Sequence, residues 1–191
     1  MRSIDEIEAF RADLCDVAEP LFAARGAQGV SMRQIADALG VSPMTPYRYF
    51  NSRDDILAAV RQRGFERFAA MLEAARGGSG GSRRARALAA GRAYVDFAIA
   101  NKHVYRLMFD IEQPDDGGEG PLGGAVARAR RTLTVHGDDL VGGGATEEEA
   151  REVEAVAWAT LHGAVLLELA GRLPPGSARR IVEDPRSWPR V

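Results

Sequence analysis

The sequence has one cysteine, Cys15, and one lysine, Lys102. A single thiol excludes an internal disulfide framework. No apolar run reaches the length needed to cross a bilayer, so no membrane partner is expected. The first residues carry Asp5, Glu6 and Glu8 instead of the basic-then-apolar order of a signal peptide, and a cytoplasmic protein is the expectation. His103, His136 and His162 are too scattered to make a metal set, so no metal and no cofactor are expected. Catalytic signatures are missing too. There is no nucleophile turn with a Ser/His/Asp order and no pair of inward carboxylates. Gly77 to Gly81 lacks the lysine and the preceding strand of a phosphate-binding loop. An enzyme is not expected. Strand-like alternation, internal repeats and long heptad runs are also absent.

What remains is helix. The chain has 191 residues, 46% of them hydrophobic, enough for one or two compact domains. Net charge is -2, so bulk attraction does not make the whole chain a polyanion binder. Local charge matters more: between Ser31 and Phe65, Arg33, Arg48, Arg53, Arg61 and Arg63 face Asp37, Asp54 and Asp55. Arginine suits bidentate phosphate and guanine contacts. The excess of arginine over lysine, beside abundant alanine and glycine, is read as codon bias.

The organising stretch is Ser31 to Asp55. Ser31 followed by Gln34 predicts a capping box, and Ile35, Ala36 and Leu39 give a short apolar face. Gly40 ends that helix by taking the left-handed conformation cheaply. Ser42, with Pro43 after it, predicts the start of a second helix, and Ser52, with Asp54 and Asp55, a third. Two short helices about a tight glycine turn make a helix-turn-helix. Before it, residues 3–25 read as an amphipathic helix through Ile7, Phe10, Leu14, Val17, Ala18, Leu21 and Phe22, with Cys15 in its apolar stripe and Pro20 loosening one turn. After it come a helix over 53–76, a connector over Gly77 to Ser82 expected to be flexible, and helices over 83–101 and 102–110. Gln113 to Gly120 reads as a polar loop, 121–140 as a helix broken near Gly137, and Gly142 to Gly144 as a second connector. Thr146 with Glu149 opens a helix to about Gly171 that is apolar on more than one face, so a second subunit is expected to cover it. Pro174 and Pro175 stop it, leaving room for a short helix at 177–183.

The run Val41-Ser-Pro-Met-Thr-Pro-Tyr-Arg-Tyr-Phe50, followed by Asn-Ser-Arg-Asp-Asp-Ile-Leu57, resembles the recognition-helix signature of TetR-type transcriptional regulators. Gly29 to Gly40 is similar to the helix before it, and the likeness covers roughly residues 5 to 65. Trp158-Ala-Thr-Leu-His162-Gly163 and Tyr94 to Phe109 resemble the C-terminal domain of the Trp-His-Gly subgroup. The resemblance implies an all-α fold. A three-helix helix-turn-helix head over residues 1–55 would be linked through helix 53–76 to a helical ligand-binding and dimerisation domain over 56–191. It further implies a repressor that binds a palindromic double-stranded DNA operator as a homodimer. The dimer would form through helix 146–171 and the C-terminal segment, and a small inducer would release it; the apolar and aromatic candidate residues make a hydrophobic or aromatic ligand the expectation. One departure stands out. The family places an apolar residue such as leucine where this chain has Pro46, which deletes the amide that would bond to the Ser42 carbonyl.

Tyr47 and Arg53 are carried over as phosphate contacts. Ser31 and Ser42 offer helix-start amides to phosphate, and Pro43 opens the recognition helix. Arg48 is the candidate for reading a guanine edge; Met44 and Thr45 would meet thymine methyls, and Arg33 phosphate or a base edge. Ile35, Leu39, Val41 and Phe50 are assigned to the core, and Tyr49 to either role. For the inducer the candidates are Tyr94, Phe97, Tyr105, Met108, Phe109, Trp158 and His162. Ordinary packing competes for all of them, with His162 satisfied by a backbone carbonyl. Gly163 is read as a close-approach point at a dimer seam. Two alternatives stand beside this reading: a helix-turn-helix regulator without an inducer, and a protein-interaction module.

Overall fold

The computed structural model describes residues 3–110, 120–141 and 146–184, with side chains described outside 134–141. Every regular element among them is helical. They are α1 (Ile4–Arg25), α2 (Met32–Leu39), α3 (Arg53–Gly78), α4 (Arg83–Ala100), α5 (Lys102–Met108), α6 (Gly120–Val141), α7 (Glu147–Leu169) and α8 (Ser177–Glu183), with 3-10 turns at Ala27–Gly29 and Pro46–Arg48. The all-α expectation and the helix-turn-helix head hold. No helix among the described residues is long and apolar enough to cross a membrane.

The chain forms two compact units: Met1–Gly64 with His103–Gly124, and Phe65–Lys102 with Ala125–Val191. The first is built on α1. Its start is fixed by a capping box between Ser3 and Glu6, which the sequence reading did not pick out. Leu14, Cys15, Ala18 and Phe22 face inward and meet Val30, Met32, Ile35, Phe50, Ile56, Leu57, Val60 and Leu107 in one apolar cluster. Burying side chains such as Phe22, Ile35 and Ile56 contributes roughly 1.5–3 kcal/mol each. That matters because α2 has only eight residues, too few to hold a helix in water alone. Burial also pushes the Cys15 thiol up, away from a reactive thiolate.

Gly64 lies where α5 crosses α3. A Cβ there would come within 2.9 Å of Met108 Cγ and Sδ and 3.1 Å of Val104 Cγ2, so an added methyl would have to push both side chains aside.

The second unit packs α4 against α7 and α8, and α7 against α8. Phe68 of α3 stands edge-on to Tyr94 and Phe97 of α4, both at 5.2 Å between ring centres. Arg128 of α6 clasps Glu73 of α3 with two hydrogen bonds, Nε at 3.0 Å and a terminal nitrogen at 2.5 Å. Thr146 and Glu149 form the expected capping box at α7. Glu168 near the end of α7 accepts from the Gly176 and Ala178 amides at 2.7 and 2.8 Å and so starts α8, whose own cap has no side chain.

Two local expectations are corrected. The connector expected to be flexible at Gly77–Ser82 is mostly ordered geometry. α3 continues through Gly77 and Gly78, Ser79 donates its hydroxyl to the Arg76 carbonyl at 2.8 Å, and Ser82 caps α4. Gly80 and Gly81 supply the positive φ values, 40° and 109°, that the turn needs. The break expected near Gly137 does not occur, since α6 runs unbroken to Val141; its neighbours in the helix satisfy the backbone around one glycine. Of the loop expected at 113–120, Gly120 opens α6 and residues 113–119 fall outside the described residues, as does the connector at 142–144.

Gly64→Ala should destabilise the protein by about 1–2 kcal/mol, overpacking outweighing the helix-propensity gain. In a Met108→Ala background that penalty should shrink, with the Val104 methyl at 3.1 Å retaining part of it, a coupling that a urea double-mutant cycle reads directly. Additive effects would mean that the α3–α5 contact is not set by this pair.

Candidate nucleic-acid interface and C-terminal site

The first half of the helix-turn-helix follows its sequence closely. The Ser31 hydroxyl accepts from the Gln34 amide at 3.3 Å, while the Gln34 side chain takes the Ser31 amide at 2.8 Å. Gly40 ends α2 at φ 72°, ψ 30°. The Val41 amide then reaches back to the Ala36 carbonyl at 3.0 Å and the Gly40 amide to Asp37 at 3.1 Å, closing a Schellman motif.

The second half departs from it. Where an α-helix capped by Ser42 was expected, residues 42–45 form a turn and only Pro46–Arg48 is helical, as a 3-10 turn. The cause is the missing donor. Pro46 has no amide to give the Ser42 carbonyl, and the Thr45 amide takes that acceptor instead, at 2.8 Å and one residue early. The register of three-residue bonds then propagates. Arg48 donates to Thr45 at 3.1 Å and Tyr49 to Pro46 at 3.0 Å, before Phe50 recovers a four-residue bond to the same Pro46 carbonyl. The Ser42 hydroxyl makes only a long 3.5 Å contact with the Met44 amide. Pro43 is exposed and opens the turn rather than a helix.

Residues that the sequence reading passed over hold this segment in place. Arg11 of α1 donates to the Tyr49 carbonyl and lays its guanidinium 4.0 Å over the Phe50 ring. Phe10 stacks on Tyr49 at 4.4 Å, which gives Tyr49 a packing role. Phe50 is 4% exposed and anchors the C-terminal end of the run. Phe10 and Arg11 lie on α1, far in sequence from Tyr49 and Phe50, and no local pattern announces these contacts.

Most of the residues assigned to DNA contact are exposed. Met44 is 67% and Tyr47 49% exposed, Ser42, Pro43 and Arg48 are exposed, and Thr45 is half-buried. Arg33 is exposed beside Asp37 at 3.9 Å, an i,i+4 pair weak enough to yield to a phosphate. Arg53 has a second occupation. Its terminal nitrogens reach the Ala27 carbonyl at 2.9 Å and Gln28 Oε1 at 3.1 Å, and Nε reaches Asp54 at 3.0 Å. It therefore ties the start of α3 to the turn between α1 and α2. Ser52 caps α3 through the Asp55 amide at 3.1 Å, as expected.

The seven inducer candidates separate. Tyr105, Met108 and Phe109 belong to the first unit, where Tyr105 packs on Phe109 at 4.9 Å and Met108 meets Gly64. Tyr94, Phe97, Trp158 and His162 belong to the second. The Tyr94 hydroxyl lies 3.2 Å from His162 Nδ1. Trp158 and His162 share a face with ring centres 6.0 Å apart. Tyr94, Phe97, Tyr105 and Met108 are at most 2% exposed. Burial pushes the His162 imidazole below its ordinary value. A cleft of about 410 Å³ lies between α6 and α7, lined by Arg130, Leu133, Arg151, Glu154, Ala155 and Trp158. Among the described residues no group of three His, Cys, Asp or Glu side chains is arranged to hold a metal ion.

A helix-turn-helix head with an exposed recognition run, joined to a helical C-terminal unit, defines a DNA-binding regulator of transcription. Residues 14–60 match the family model described as bacterial regulatory proteins, tetR family, and residues 87–184 match the tetracyclin repressor-like C-terminal domain. The chain belongs to the TetR family. It is 30% identical to a protein of unknown function from Rhodococcus sp. RHA1, with 91% of this chain and 89% of that one covered and a TM-score of 0.75. A tetR-family regulatory protein from Rhodococcus RHA1 shares the fold at 21% identity, over 91% of this chain and 93% of that one, with a TM-score of 0.66. The TetR-family transcriptional regulator PfmR from Thermus thermophilus does so at 18% identity, over 88% and 92%, with a TM-score of 0.62. No curated protein matches.

Pro46→Ala restores the missing donor, and carbon chemical shifts over residues 43–49 should move toward α-helical values; unchanged shifts would clear the proline of responsibility. For His162 the sign is fixed by burial. The unfolded chain takes up a proton near pH 6.5 before the folded one does, so stability is full above that pH and declines as pH falls through the window beneath it. His162→Gln should decline less than the parent in urea titrations between about pH 7.5 and about pH 5; parallel declines would remove His162 as the source.

Proposed function

We propose that this regulator is a repressor that binds a palindromic operator as a homodimer and is released by a small hydrophobic or aromatic inducer. The observation that carries the DNA half is the run from Ser42 to Arg48, exposed at Ser42, Pro43, Met44, Tyr47 and Arg48. It is held at one end by the Schellman turn and at the other by Phe50, with Met44, Tyr47 and Arg48 outward. In this reading Arg48 reads a base edge. Tyr47, Ser31, Ser42, Arg33 and Arg53 meet phosphate, and Pro43, Met44 and Thr45 fill the groove between.

Homodimerisation through helix 146–171 and the C-terminal segment is supported by α7. Val156, Leu166 and Leu167 are 45%, 38% and 47% exposed, while Val153, Ala157 and Leu161 of the same helix are buried. A Cβ at Gly163 would meet nothing within 4 Å, leaving room for a second helix. Two copies would present two heads about 34 Å apart, or a multiple of that, to match successive major grooves. An inducer acts if it binds unequally to conformers that differ in that spacing.

Gel shifts on palindromes from the chain's own promoter region test the reading. A salt-sensitive specific complex is expected, and Arg48→Ala should weaken it about tenfold at the cognate site. Absence of any salt-sensitive specific complex would overturn it. Undiminished binding to a protein partner by Arg48→Ala, with no DNA complex, would favour an interaction module.

A further inference from the structure

The exposed cleft between α6 and α7 has a composition that selects a ligand. Its apolar lining comes from Leu133 and Ala155 with the half-buried indole of Trp158, a flat aromatic surface. Arg130 and Arg151 reach it from opposite helices, against one carboxylate, Glu154. The volume, about 410 Å³, falls in the range that encloses small organic ligands. We infer that this cleft binds a small aromatic carboxylate, its ring on Trp158 and its carboxylate between Arg130 and Arg151.

Three physical points favour that class. Guanidinium groups engage carboxylates through paired, charge-assisted hydrogen bonds, which sets an anion above a neutral or cationic ligand here. An indole face adds aromatic stacking that an aliphatic acid would not gain. A competitor for Arg151 is Glu147, at 2.8 Å with side chains 72% and 88% exposed. A pair that open to water contributes little, so a ligand carboxylate that is partly shielded by the cleft displaces it readily. Cleft and interior differ in one further respect. Tyr94, Phe97, Tyr105 and Met108 are almost fully buried, so a ligand reaching them must displace packed side chains, whereas Trp158 is accessible without that cost.

The link to DNA release rests on the inducible reading proposed above; binding itself does not. Calorimetry on the full chain with 1-naphthoate, in the absence of DNA, keeps the two apart. Saturable binding is expected, weaker by about tenfold for the uncharged 1-naphthalenemethanol. Arg130→Gln and Arg151→Gln should each weaken naphthoate by roughly tenfold while leaving the alcohol nearly unchanged. Glu147→Gln, which removes one competitor for Arg151, should leave binding equal or tighter, and Trp158→Leu should weaken both compounds. No saturable binding, equal affinity for acid and alcohol, or insensitivity to both arginine substitutions would overturn the assignment. Failure of the gel shift with naphthoate binding intact would overturn the regulatory reading and spare the cleft.

Discussion

The apolar centre that α1 shares with α2 and α3 is the condition for everything the head displays. α2 is about two turns long, and the recognition run has no α-helical turn at all. Neither piece has enough internal hydrogen bonds to persist alone. Both are held because Ile35, Val30 and Phe50 enter the same cluster as Phe22, Ile56 and Val60. Arg11 and Arg53 add two long-range ties at the edges of that cluster, one to the end of the recognition run and one to the α1–α2 turn. Rigidity at this surface is thus borrowed from the scaffold below it, and a regulator needs rigidity there to hold side chains in register with base edges.

The C-terminal unit solves a different problem with similar means. Phe68, Tyr94 and Phe97 meet as large rings and fill what would otherwise be a wide gap between α3 and α4. The Tyr94–His162 contact places a titratable ring inside that packing, where burial favours its neutral form. α8, too short to start well on its own, takes its cap from Glu168 on the preceding helix.

The longer helices, the caps at Ser31, Ser52 and Thr146 and most core positions were legible in the sequence because their signals are local. Ser31 with Gln34, Thr146 with Glu149, and Gly40 act within one turn of chain. Pro46 was legible as a missing donor. How far the consequence spreads was not, because that depends on which amide captures the freed Ser42 carbonyl and on Phe50 being fixed from outside. Arg53 shows the opposite limit: its partners at Ala27 and Gln28 are set by the fold and not by the motif. Gly77 to Ser82 misled because glycine-rich composition specifies tolerance of unusual dihedrals, which serves a tight turn as well as a loose tether. The cleft beside Trp158 joins residues from two helices whose packing no spacing rule predicts.

The way the recognition run is suspended also bears on how this protein can diverge. Its fixed points are Val41, half-buried, and Pro46 and Phe50, both buried, while Pro43, Met44, Tyr47 and Arg48 are exposed. Exchanges at such exposed positions alter stability by only about 0.5 kcal/mol in either direction. If these side chains read DNA as proposed, sequence preference can drift one side chain at a time, with the fold screening out almost none of the intermediates.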